Sequence, residues 1–133
     1  MNLTDMVSLL KNKKNFSILY VEDDLNVQES MMQILVRFCN DITVANHGLA
    51  GWDAYQQRPF SLVITDLQMP FMNGSELIEA IQKVHPDQLV IVLSAFHDKE
   101  EFQNSLKVHY MLAKPLVLAE FMHVMEEILT LLE

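Results

Sequence analysis

Five short apolar runs, at residues 17–21, 42–45, 60–65, 89–93 and 109–112, alternate along the chain with segments of helical period. A strand with one wet face alternates apolar and polar residues; these runs are near-continuous, so both of their faces must be covered. Between them Val27, Met31, Ile34, Leu35 and Phe38 recur at spacings of three and four, and so do Phe121, Val124, Met125, Ile128, Leu131 and Leu132. Leu49 and Trp52 mark a short second helix, Leu77, Ile78, Ile81 and Val84 a third, and Phe102 and Leu106 a weaker fourth. Strands joined by helical crossovers predict an α/β fold: a five-stranded, doubly wound parallel sheet with helices on both faces. Right-handed crossovers leave few arrangements, and the common order for five strands is 2-1-3-4-5.

The 133 residues are enough for one domain with one core. The folded unit is read over residues 16–133, with residues 1–15 as an N-terminal extension whose Lys11, Lys13 and Lys14 form a solvated basic stub or a linker or dimer contact. A net charge of −9 argues against nucleic acid, which is bound by neutralising phosphates with Lys and Arg. No apolar stretch is long enough to span a membrane, and no segment resembles a secretory signal. Cys39 is the only cysteine, which excludes an internal disulfide and reads as a buried, inert core residue. Together these features suggest a cytoplasmic location.

Polar residues stand where the apolar runs stop. Glu22 and Asp23 follow the first, Asp66 the third, Ser94 the fourth and Lys114 the fifth. Each would emerge at the carboxyl end of its strand, the edge where open α/β sheets bind ligands. In the order 2-1-3-4-5 the first and third strands are neighbours about 4.8 Å apart, which brings Glu22 and Asp23 within a cation's reach of Asp66. Three carboxylates, a hydroxyl and an ammonium suit a divalent cation and a phosphoryl group. The plain structural alternatives are acids complementing a helix N-terminus, which Asp24 is expected to do, and Ser94 as a helix cap.

Four pieces of sequence, Val21-Glu22-Asp23-Asp24, Thr65-Asp66-Leu67-Gln68-Met69-Pro70 with Asn73-Gly74, Leu93-Ser94-Ala95 and Ala113-Lys114-Pro115, resemble the receiver domains of two-component response regulators. The resemblance covers roughly residues 16–133 and implies the flavodoxin-like form of the doubly wound sheet. It implies that Asp66 is the phosphoacceptor, taking a phosphoryl group from a sensor histidine kinase, a phosphotransfer protein or a small acyl phosphate. Mg²⁺ is the implied cofactor, with Asp23 and Asp66 as direct ligands, Glu22 mainly through water, and the Gln68 backbone carbonyl as a further ligand. Lys114 would pair with Asp66 and then with the phosphoryl group, Ser94 would donate its hydroxyl to it, and Lys114-Pro115 is expected to be cis. Small Ala95 would leave donors access. Phosphorylation would switch a surface on the fourth helix, fifth strand and last helix, read by an effector protein, an attached output domain or a second copy of the chain.

At one position the chain departs from this pattern. Receivers usually carry an aromatic residue three before the lysine, where this chain has Met111; Tyr110 beside it should face the opposite side of the sheet. A methionine can move but offers no hydroxyl. Two other function classes stay open on residues alone. One is an aspartyl-phosphate hydrolase, disfavoured because Gln68 stands where a general acid is wanted; the other is a binding module whose acid pocket is never phosphorylated. The chain reads as a signalling module rather than a turnover enzyme. His47, His85, His97, His109 and His123 show no ligand spacing, and the nine methionines mostly fall in core stripes.

Overall fold

The computed structural model describes residues 1–13, 15–94 and 110–132. Helix α1 (Leu3–Asn12) leads into β1 (Ser17–Val21), followed by α2 (Leu25–Phe38), β2 (Asp41–Ala45), α3 (Gly48–Gln57), β3 (Leu62–Asp66), α4 (Gly74–Val84), β4 (Leu89–Ser94), β5 (Tyr110–Ala113) and α5 (Leu118–Leu132). All five strands pair in parallel in the order β2-β1-β3-β4-β5, the arrangement expected from the sequence. The helix expected around Phe102 and Leu106, together with Ala95, His97 and His109, lies outside the described residues.

Every residue of β1 and β3 is buried, as the unbroken apolar runs required. Alternate strand residues feed two cores. Ile18, Tyr20, Ile64, Ile91, Leu93 and Leu112 join Met31, Leu35 and Phe38 of α2 and Phe121, Met125 and Ile128 of α5. Leu19, Val21, Val63, Val90 and Val92 join Tyr55 of α3 and Leu77, Ile78 and Ile81 of α4 on the other face. Tyr110 packs with the first group and Met111 with the second, the opposed placement that strand alternation predicts.

At three places the structure differs from the pattern of the sequence. Residues 3–12 are not a solvated stub but a helix, capped by Asn2, whose Met6 and Leu10 are wholly buried in the first core. Lys11 does face solvent, and its charge masks an apolar pair spaced by one helical turn. The buried side of α3 is formed by Gly48, Gly51 and Tyr55, while Leu49 is exposed. A Cβ at Gly51 would come within 2.8 Å of Val21 Cγ2, so this helix lies close to the sheet where no apolar stripe announces it. Val84 and Leu131, assigned to core stripes, lie exposed near helix ends.

The burial of α1 gives a direct test. Leu10→Ala is expected to lower unfolding free energy by about 2 kcal/mol, the low end for a buried leucine because a terminal helix can settle into the space. Denaturant unfolding would measure it, and an unchanged midpoint would show that α1 contributes nothing to the core.

Cys39 is buried and its thiol donates to the Phe16 and Asp41 carbonyls at 3.4 and 3.3 Å. Burial is the main cause of its raised pKa, in keeping with an inert core residue.

Candidate functional site

The strand register decides what meets at the carboxyl edge. Val21 pairs with Thr65 and Asp66 with Leu93, so Glu22 and Asp23 leave β1 beside the end of β3. Among the described residues, Glu22, Asp23 and Asp66 each offer a carboxylate oxygen, all within 4.8 Å of one another. Glu22 is fully buried and Asp66 nearly so, whereas Asp23 is exposed. Ser94, buried at the end of β4, and Lys114, one residue beyond β5, lie on the same edge.

Lys114 Nζ lies 2.8 Å from Asp66 Oδ2 and 3.0 Å from Glu22 Oε1. The pairing with Asp66 was expected; the second bond, to Glu22, was not. Position 22 reads from sequence as an acid that reaches a cation mainly through water, and only the fold reveals that it is sealed beneath the site. The other oxygens are also held: the Asp24 N–H donates to Glu22 Oε2 at 3.2 Å and the Leu67 N–H to Asp66 Oδ1 at 2.8 Å. Desolvation is the largest influence on Glu22 and, despite the Lys114 hydrogen bond, pushes its carboxyl up to about 7; the Asp66 charge adds to the rise. The Lys114 pKa is raised: desolvation opposes its charge, but hydrogen bonds and attraction from Asp66 and Glu22 prevail, so it stays an ammonium.

Local sequence chemistry holds the loops around this cluster. Asp24 caps α2, accepting from the Asn26 and Val27 N–H groups, as its position predicted. Asn73 and Glu76 form a capping box on α4. Gly74 presses against the Asp66 carbonyl, where any Cβ would collide, and its N–H donates to the Leu67 carbonyl at 2.9 Å. In the loop between β3 and α4, Phe71 adopts φ 70, strained for a bulky residue, and its exposed ring meets His47 edge-on at 5.0 Å. His47 itself caps α3 through Nδ1. Gln68 is exposed in the turn after β3, and Lys114-Pro115 is cis, as expected.

The donor set suits a small divalent cation. Three carboxylates against one ammonium leave an excess of negative charge, and all the side-chain donors are hard oxygens at the spacing a small divalent ion spans. The residues fit Mg²⁺.

Residues 18–126 match the family model of the response regulator receiver domain, and the chain belongs to that family. It is 30% identical over 79 residues to the response regulator receiver protein CpdR of Brucella abortus, covering 59% of this chain and 66% of that protein. It is 32% identical over 105 residues to the transcriptional regulatory protein HptR of Staphylococcus aureus, covering 75% of this chain but only 41% of that one. The chain thus spans less than two thirds of the length of these relatives. Among solved structures, the N-terminal domain of an uncharacterized protein from Wolinella succinogenes superposes with a TM-score of 0.79 at 29% identity, covering 87% of this chain and 95% of that one. Receiver domains are phosphorelay modules of two-component signalling, acting with histidine kinases and effector domains. No helix among the described residues is long and apolar enough to cross a membrane.

Proposed function

We propose that Asp66 accepts a phosphoryl group from a histidine kinase or a phosphotransfer protein, and that the modified chain passes the signal on through its surface. The observation that supports this most is the Glu22, Asp23 and Asp66 cluster with Lys114 bound to two of its members. In the transfer an Asp66 carboxylate oxygen uses a lone pair to form a bond to phosphorus. The donor's P–N bond breaks, its electrons stay on the imidazole nitrogen, and that ring keeps or takes up a proton.

Charge is the obstacle, since each like-charged pair at 4 Å costs about 4 kcal/mol at an effective dielectric near 20. Mg²⁺, held by Asp23 and Asp66, by Glu22 largely through water, and by the Gln68 carbonyl, would supply the positive charge that offsets it. Lys114, paired with Asp66, would follow the charge from that carboxylate to a phosphoryl oxygen. Ser94 would donate its hydroxyl to another. Met111, one strand over from Val92, would carry the movement into β5 and α5 by packing alone. An effector, an attached output domain or a second copy of the chain would read that surface.

Intact-protein mass spectrometry after incubation with a small acyl phosphate tests the reading. One phosphoryl adduct is expected with Mg²⁺ and none in chelator. A folded, Mg²⁺-bound protein that stays unmodified would overturn it in favour of an unphosphorylated binding module.

A further inference from the structure

We propose that Gln28 is a positioning residue for Asp23, fixing the direction in which that carboxylate points by clamping the peptide between Glu22 and Asp23. The inference rests on reading Glu22, Asp23 and Asp66 as a Mg²⁺ site.

The three acids are not held alike. Both oxygens of Glu22 and both of Asp66 have partners, through Lys114 and the Asp24 and Leu67 N–H groups. The Asp23 carboxylate is exposed, and among the described residues no hydrogen bond or ion pair restrains it. Its placement therefore depends on the backbone that carries it.

That backbone has just left the sheet. The Glu22 N–H still donates to the Ala45 carbonyl at 3.0 Å, extending the β1–β2 ladder by one residue. The Glu22 carbonyl instead accepts from Gln28 Nε2 at 2.9 Å. This oxygen lies in the same rigid plane as the Asp23 N–H, so holding it fixes the plane and hence the exit of the Asp23 side chain.

Gln28 is anchored in turn. Its second amide hydrogen donates to Asn46 Oδ1, also at 2.9 Å, and Asn46 directly follows β2. A carbonyl oxygen can only accept, so the Glu22 contact dictates which end of the Gln28 amide faces the loop, and both amide hydrogens are used. Gln28 sits on the first turns of α2, whose start is pinned by Asp24. One side chain thus ties together the loop after β1, the loop after β2 and the helix between them. Asp23 inherits that rigidity without being touched.

Partners that orient a metal ligand typically change affinity by about 10–100-fold when removed. Gln28 acts through the ligand's backbone, so the lower end applies. Gln28→Met keeps length and helix preference but removes both donors. Titrating the metal-free protein with Mg²⁺ by calorimetry, at a temperature where unfolding in chelator shows every variant folded, is expected to give a Kd about tenfold weaker than wild type. Asn46→Ala, which removes the anchor but leaves the Glu22 contact, is expected to weaken binding by a smaller factor. A merely structural Gln28 would lower the melting temperature and leave the Kd of the folded protein unchanged, so equal Kd values for wild type and Gln28→Met overturn the clamp. A folded wild type that binds no Mg²⁺ would overturn the metal-site reading itself, and the clamp with it.

Discussion

Asp66→Asn is expected to take up no phosphoryl group from a small acyl phosphate in Mg²⁺, under conditions where the wild type shows one adduct. The substitution is nearly isosteric. Its amide oxygen can still accept from the Leu67 N–H, and Lys114 keeps its bond to Glu22, so the local fold should survive. What disappears is the nucleophile: a neutral amide is far weaker towards phosphorus than a carboxylate. The neighbouring acids cannot readily take over. Glu22 is sealed under the site with both oxygens engaged, and Asp23, though exposed, is read as a metal ligand. Mass spectrometry reads the result directly, with the melting temperature as the check on folding. A persistent adduct in the variant would move the acceptor to another residue, Asp23 first among them.

Most of this site was visible before the fold was known, for a physical reason. Parallel strands buried on both faces must be apolar along their whole length, so a polar residue at the end of such a run marks both the strand's end and the sheet's edge. Glu22, Asp23, Asp66 and Ser94 announced themselves this way, Lys114 only by ending the short apolar run of the half-buried edge strand β5, and the parallel order then brought the three acids together. What stayed hidden carries no pattern. Gly48 and Gly51 have no side chain to enter a hydrophobic stripe, so the close approach of α3 to Val21 left no trace in the periodicity. Helix α1 rests on two buried residues, Met6 and Leu10, in a segment whose end is marked by lysine. The Gln28 bond to the Glu22 carbonyl depends on where a strand's ladder runs out, which only the register reveals. Likewise the Lys114 bond to Glu22 joins residues 92 positions apart, and it follows from the depth of Glu22 rather than from the identity of either residue.

That bond governs the second large effect. Lys114→Met is expected to destabilise the metal-free protein by about 2–3 kcal/mol at pH 8, with the loss shrinking by about 1–2 kcal/mol at pH 5. Removing one partner of a buried pair usually costs more, but Lys114 is 26% exposed, so water already screens part of the interaction. The pH dependence comes from Glu22. Its folded pKa, about 7, lies above the ordinary 4.5, so the folded state binds the proton more tightly than the unfolded chain does. Stability from this group is therefore full below about 4.5 and declines as pH rises through about 7. Lys114 is one of the influences holding that pKa down, so the variant's carboxyl should titrate higher still, widening the window in which a rising pH weakens the fold. At pH 5 Glu22 is largely protonated with or without the lysine, and chiefly the Asp66 pairing is then missed. The lysine's own titration does not intrude, since its raised pKa keeps it charged throughout this range. Urea unfolding in chelator at the two pH values measures both numbers. A loss equal at pH 8 and pH 5 would mean that Glu22 does not titrate in this window and that Lys114 stabilises the fold through Asp66 alone.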